Sequence, residues 1–376
     1  MIFQYFCGMN HQKILIIQEK MIGDVLISSL ICNNLKRKFP NANIHYLVAP
    51  NTLPVLQGNP NIDQLVIYGD LQKNNVLEFY DFIRSIRASK YDVVIDAYGK
   101  IGSNLIAYFS GAKKRIGYKE KNRLGVYNVK LPYAVQKKSF KGLAIERRLE
   151  LLKPFMDETE MDYLPKIYFS DRELEIGKSM VESIADTTIC MVSLFGSSPN
   201  KSYPSAYMVK VLDTIGKQEN TTILLNILPN QQEEAEQIIE ACLPATQIKI
   251  NTAIRGKGLR DFIVLMNFCD ILVGNDGGAV NISKALNKPT FTIFSPWVPK
   301  EIWSILDDGI QHVGVHLNDY QPELLRGKSE HKLKNESQKL YQEFRPELFT
   351  EQLTEFLERH QELSLIHISE PTRRYA

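Results

Sequence analysis

The feature that most restricts this chain is a rhythm that occurs twice: short apolar, β-prone runs alternating with stretches whose apolar residues recur at helical spacing. KILII, residues 13–17, is a compact run of strand length. After a Gly-Asp turn, Val25, Leu26, Leu30, Ile31 and Leu35 keep near-helical spacing up to Phe39-Pro40, where the pattern stops. IHYLVA (44–49), QLVIY (64–68) and YDVVIDA (91–97) read as further strands, the last preceded by a helix over 76–89. Runs that are apolar throughout, rather than alternating, belong to strands buried on both faces. Strands of that kind form parallel sheets covered by helical crossovers.

The rhythm restarts after Pro165, with TTICMVSLF (187–195), TTILLNIL (221–228), TQIKIN (246–251), DILVGN (270–275) and PTFTIF (289–294) as strands. Two βαβ arrays in 376 residues predict two Rossmann-like domains with a cleft between them. The expected boundaries are 12–155 and 165–345, joined across an acidic stretch flanked by Pro154 and Pro165. A last helix, 346–361, is expected to pack back onto the first domain. Residues 363–373 read LSLIHISEPTR, which looks like a translated sequencing adapter, so 363–376 is expected to be a non-native tail. The stretch before Lys13 has no basic n-region or cleavage site and reads as an extension, not a signal peptide.

Composition narrows the function classes. The 45 basic residues nearly balance 43 acidic ones, for a net charge of +2, which argues against a dedicated nucleic-acid binder. Five scattered cysteines form no CxxC pair or Cys/His cluster, so neither a disulfide framework nor a structural zinc site is expected, and a reducing, cytoplasmic setting fits. No apolar run is long enough to span a bilayer.

Open α/β sheets place ligands beyond the carboxyl ends of their strands, and polar turns stand at those places. In the first, residues 18–24, Gly23 permits a tight turn. Asp24 either caps the helix or serves as a general base. The second, residues 274–279, sets Asp276, Gly277 and Gly278 at a helix start, either as a plain turn or as a diphosphate cradle of backbone amides. It lacks the GxGxxG fingerprint, which disfavours a nicotinamide cofactor. The third, residues 196–204, offers Ser197, Ser198 and Lys201, with Lys201 either a solvated charge or a phosphate ligand. The fourth feature is a basic run, Lys113, Lys114, Arg115, Lys119, Lys121 and Arg123, which is either a solvated face or a surface for anionic groups.

Taken together, these segments resemble the lipopolysaccharide heptosyltransferases, the ninth family of glycosyltransferases. The likeness rests on the opening from KILIIQEKMIGDVL onward, on GAKKRIGY, and on GNDGGAVNISKALNKPTFTIFSP, and it extends over about residues 13–353. The sequence departs from the family pattern at Gly277, where Ser or Thr is usual, at Asn281, where His is usual, and at Ser295-Pro296 after the last strand. Glu146 and Arg147 in AIERRLELL resemble a family Val-Glu-Arg segment on an acceptor-facing helix.

The resemblance implies a GT-B fold, with two Rossmann-like domains facing a central cleft, and inverting transfer of heptose from ADP-heptose to an inner-core lipopolysaccharide acceptor. In that reading Asp24 is the catalytic base. Gly23, Ser197, Ser198, Lys201, Asp276, Gly277, Gly278 and Asn281 bind the donor. Lys114, Arg115, Lys119 and Arg123 meet an anionic lipid-linked saccharide. No metal or cofactor is implied, since the ADP-sugar is itself a substrate. The setting is cytoplasmic, with no more than peripheral contact with the inner membrane. The competing readings are a GT-B transferase with another nucleotide-sugar, an epimerase of the same architecture, and a catalytically silent nucleotide-sugar-binding protein.

Overall fold

The computed structural model describes residues 12–119, 125–134 and 136–369, with side chains as far as Gln361. The chain divides into two compact units between Tyr168 and Phe169.

The first unit carries β1 (Lys13–Ile17), β2 (Asn43–Val48), β3 (Gln64–Ile67), β4 (Val93–Asp96), β5 (Lys114–Tyr118) and β6 (Val129–Leu131). Its helices are α1 (Ile22–Lys38), α2 (Asp70–Asn74), α3 (Val76–Ala88), α4 (Ile101–Phe109) and α5 (Leu143–Glu150). The sheet order is β3-β2-β1-β4-β5-β6 and every pairing is parallel. Ile14 to Ile17 are wholly buried, as an unbroken apolar run requires when helices cover both faces. The basic run, read from sequence as a charged surface, is in part a strand: Lys114 and Arg115 open β5.

The second unit carries β7 (Thr188–Ser193), β8 (Thr221–Asn226), β9 (Ile271–Asn275), β10 (Thr290–Ile293) and β11 (His312–Val315), in the parallel order β11-β10-β9-β7-β8. Its helices are α6 (Asp171–Val181), α7 (Ser205–Gly216), α8 (Gln232–Ala241), α9 (Pro244–Lys249), α10 (Leu259–Asn267), α11 (Gly278–Ala285), α12 (Lys300–Trp303), α13 (Leu317–Tyr320), α14 (Glu330–Asn335), α15 (Ser337–Glu343) and α16 (Thr350–Ser369).

Two sequence expectations change here. TQIKIN is not a strand: Pro244 starts α9, and only Ile250 makes a single bridge, to Ile223. Thr246 turns inward, its hydroxyl donating to Asp213 Oδ1 at 2.7 Å, so the segment packs as a helix against α7. The last helix, expected to return to the first domain, instead buries Leu353, Phe356 and Leu357 in the core of the second unit. Phe356 lies 5.6 Å from the Phe291 ring on β10. The backbone of α16 continues to Ser369, into the segment expected to be a non-native tail.

Cys32, Cys190, Cys242 and Cys269 are free and buried, and burial pushes each thiol up. They pack as small apolar residues and not as reactive thiols. Among the described residues no helix is long and apolar enough to cross a membrane.

Because Phe356 fills the core of the second unit, Phe356→Ala is expected to destabilise that unit by about 3–5 kcal/mol. Urea unfolding followed by tryptophan fluorescence checks this, both tryptophans lying in that unit.

Candidate active site

Both sheets have a switch point, where neighbouring strands send their crossovers to opposite sides and leave a crevice at the carboxyl edge. In the first unit it lies between β1 and β4, and in the second between β7 and β9. The turn holding Asp24 follows β1. The turns holding Lys201 and Asp276 follow β7 and β9. Strand order thus puts three of the four sequence-predicted features at the crevices that such sheets offer to a ligand.

Asp24 is the third residue of α1 and is not its cap: Met21 holds that position, without a side-chain hydrogen bond. Gly23, expected to supply a tight turn, lies inside the first turn of the helix. The Asp24 carboxylate instead meets Arg148 of α5, whose Nη2 donates to Oδ1 at 2.6 Å. Arg148 also donates from Nε to Ser28 Oγ at 3.0 Å, from Nη1 to the Ala144 carbonyl at 3.3 Å and from Nη2 to Gln18 Oε1 at 3.4 Å. The arginine side chain is 8% exposed and the aspartate side chain 17%, so the guanidinium is enclosed while the carboxylate stays within reach of a ligand. Burial opposes the Arg148 charge most strongly, but Asp24, Tyr118 and Tyr46 together outweigh it and hold the guanidinium above its ordinary range. Tyr98, beyond β4, faces the same turn, its phenol pushed up to about 12 by burial and by Glu19 and Asp24.

Glu146 and Arg147, singled out by resemblance, do other work. Glu146 accepts from the backbone amides of Lys138 and Ser139, and Arg147 donates to the Ala134 carbonyl while lying 3.9 Å over the Tyr133 ring. They hold the chain leading into α5, and their unremarked neighbour Arg148 reaches Asp24.

The acceptor candidates do not gather at this turn. Lys114 pairs in register with Val93, which in turn pairs with Ile14, so Lys114 and Arg115 stand at the amino end of the sheet. Arg115 donates to the carbonyls of Val126 and Ala112. Lys119 alone follows the carboxyl end of β5. Lys121 and Arg123 lie outside the described residues.

In the second unit Asn275, wholly buried, welds the two turns together. Its Nδ2 donates to the carbonyls of Ser193 and Leu194 at 3.1 and 2.8 Å, and its Oδ1 accepts from the Tyr203 amide at 2.7 Å. Gly274 has φ +132, and a Cβ there would stand 2.4 Å from the Ser193 carbonyl oxygen, so glycine is required for this approach. After β7, Ser197 is exposed, Ser198 Oγ donates to Asn200 Oδ1, and the Asn200 carbonyl accepts from Ser295 Oγ and Trp297 Nε1, each at 2.8 Å.

The Lys201 ammonium sits 5.2 Å from the centre of the Trp297 ring, and that of Lys334, from α14, 5.1 Å from it. Asp276 is half-buried; burial pushes its carboxyl up to about 6, while Lys201 and Lys284 pull it down. Gly277 precedes α11 in extended backbone and Gly278 opens the helix, so free amides and the positive helix end face the crevice. Asn281, where the family carries His, turns back to donate to the Gly277 carbonyl at 3.3 Å. Lysine charge, amides and a partly protonated carboxyl suit a polyphosphate ester of a polyol. Among the described residues, no group of three or more His, Cys, Asp or Glu side chains gathers where it could hold a metal ion.

Two expectations follow. A double-mutant cycle of Arg148→Met and Asp24→Asn should give a coupling of about 1–3 kcal/mol in urea unfolding. For Asp276, the folded-state pKa of about 6 lies above the ordinary 3.8, so the folded protein binds the proton more tightly and loses stability as pH rises through that window. Asp276→Asn should therefore raise Tm at pH 7.5, with the gain shrinking towards pH 4, in calorimetry across that range.

Comparison with known proteins bears on the family and the fold. Residues 79–334 match glycosyltransferase family 9 (heptosyltransferase), a span that includes Arg148, Lys201 and Asp276 but not Asp24. The chain is 22% identical over 293 residues to lipopolysaccharide heptosyltransferase 1 of Campylobacter coli, covering 75% of this chain and 83% of that one. It is 23% identical over 296 residues to lipopolysaccharide heptosyltransferase 3 of Escherichia coli, covering 72% and 80%. A glycosyl transferase of family 9 from Veillonella parvula superposes with a TM-score of 0.70 at 16% identity, over 89% of this chain and 98% of that one. The ADP-heptose lps heptosyltransferase II of Escherichia coli gives 0.65 at 17% identity, over 88% and 99%. These superpositions establish the GT-B-type α/β fold built from two Rossmann-like units. With the larger part of its length matched, the chain belongs to glycosyltransferase family 9 and is a glycosyltransferase.

Proposed function

We propose that this transferase moves a heptose from ADP-heptose to a hydroxyl of an anionic, lipid-linked inner-core saccharide, with inversion and with Asp24 as general base. The observation that carries the reading is the Asp24 carboxylate at the switch point of the first unit, reachable by a ligand and held by a buried arginine.

In the proposed reaction the acceptor hydroxyl gives its proton to Asp24 as its oxygen attacks the anomeric carbon. The bond from that carbon to the diphosphate breaks on the opposite face. One base suffices for a single displacement. Arg148 donates to the carboxylate and fixes its orientation, so that little reorganisation is needed as the proton arrives. Lys201, Lys334 and the amides at the start of α11 meet the charge of the departing diphosphate, with Ser197 and Ser198 beside them. Those cations supply the compensation that a metal ion would otherwise give, and the reading requires neither metal nor cofactor. Asp276 accepts from sugar or ribose hydroxyls. The enzyme works on the cytoplasmic side of the inner membrane.

A second reading keeps the mechanism and changes the donor to another nucleotide-sugar. It is favoured by Gly277 and by Asn281, whose amide is turned onto its own helix.

The test is transfer by the purified protein from ADP-heptose and from other nucleotide-sugars to a deacylated inner-core acceptor. Asp24→Ala should lower kcat on the order of 10²–10⁴-fold while donor affinity holds. Lys201→Ala should chiefly weaken donor binding, and EDTA should leave the rate unchanged. Transfer from a different donor alone would replace the first reading with the second. Donor binding without turnover on any acceptor would sink both.

A further inference from the structure

Helix α4 is covered on one side only. Ile106 and Ala107 are wholly buried against the first unit, whereas Ile101, Leu105, Tyr108 and Phe109 are 80%, 39%, 52% and 42% exposed. Those four stand at i, i+4, i+7 and i+8, a single stripe along the helix with no polar residue in it. A stripe of this length left open on a folded surface marks a place of contact.

Along its own stretch of chain the charge is one-sided, although the neighbouring α3 carries Glu78 and Asp81. Residues 97–119, which contain α4 and both its flanks, hold five cations (Lys100, Lys113, Lys114, Arg115 and Lys119) and no carboxylate. Lys100 stands at the head of the helix and Lys113 beyond its foot, and the Arg115 guanidinium lies 5.9 Å over the Tyr108 ring. The register that removes Lys114 and Arg115 from the Asp24 turn sets them near the foot of α4 instead.

We propose that the outer face of α4 docks the enzyme on an anionic phospholipid bilayer, with Ile101, Leu105 and Phe109 entering the interface and the flanking cations meeting lipid phosphates. An apolar helical face bordered by lysine and arginine is the chemistry of an interfacial helix, and apolar burial and electrostatic attraction both add to its binding. A second copy of the chain fits less well. A two-fold contact would bring the same cations against each other with no carboxylate from this segment to meet them. The inference does not depend on which sugar is transferred.

The experiment is flotation of the full chain with vesicles of phosphatidylcholine, or of phosphatidylcholine mixed with phosphatidylglycerol, at low and high salt. The protein should float with the anionic vesicles only, and less so at high salt. Leu105→Glu and Phe109→Glu should each weaken that binding on the order of tenfold, while Ile248→Glu, at an 86% exposed position of the second unit, should not. Circular dichroism of each variant checks that it is folded. Transfer to a soluble acceptor should be unchanged in all three. Loss of transfer in the wild type would bear on the proposed reaction and leave the vesicle result standing. Equal binding to neutral vesicles, no binding at all, or folded α4 variants that bind like the wild type would overturn the docking face. So would a vesicle-free dimer that Leu105→Glu dissociates.

Discussion

A parallel strand cannot be joined to its neighbour by a hairpin. It needs a crossover, and the crossover must cover a face of the sheet. Every sheet pairing in both units is of this kind, and the rest of the protein follows from it. Once a sheet is covered on both faces, its crossovers must reverse direction somewhere, and that reversal opens a crevice at one edge. Asp24, Lys201 and Asp276 occupy the crevices because the chain has a polar turn after β1, β7 and β9 and buried apolar runs almost everywhere else in the sheets.

Both crevices hold charge in enclosed surroundings, and they do so differently. In the first, a guanidinium distributes its donors over a carboxylate, a hydroxyl, an amide oxygen and a backbone carbonyl, so a buried cation is compensated within the unit. In the second, Asp276 keeps a raised pKa although two lysines act on it. Compensation there is incomplete: burial costs the carboxylate more than the two lysines return.

The strands from β1 to β4, and β7 to β10, were legible because burial on both faces leaves an unbroken apolar run. Asp24 and the Gly277-Gly278 pair were legible because they interrupt such runs at turns. What escaped was of two kinds. Arg148 lies 124 residues from Asp24 and Lys334 lies 133 from Lys201 along the chain, and no local pattern reveals a partner at that distance. TQIKIN escaped for a local reason: its place in the βαβ rhythm suggested a strand, but a proline at its head and an inward threonine bonded to Asp213 made a helix. The basic run was visible as charge, but its division between the two ends of the sheet depends on the register of β5, which is a tertiary fact.

Gly277 leaves a particular freedom. A Cβ at this position would meet nothing within 4 Å, and its backbone is extended, so a side chain could begin there without a clash at its first atom. In the proposed reading the position is constrained by the donor it would meet and not by what it supports. Under that reading the position can change in a single step while the scaffold stays intact, and a preference for one sugar over another would drift far faster than the architecture that holds it.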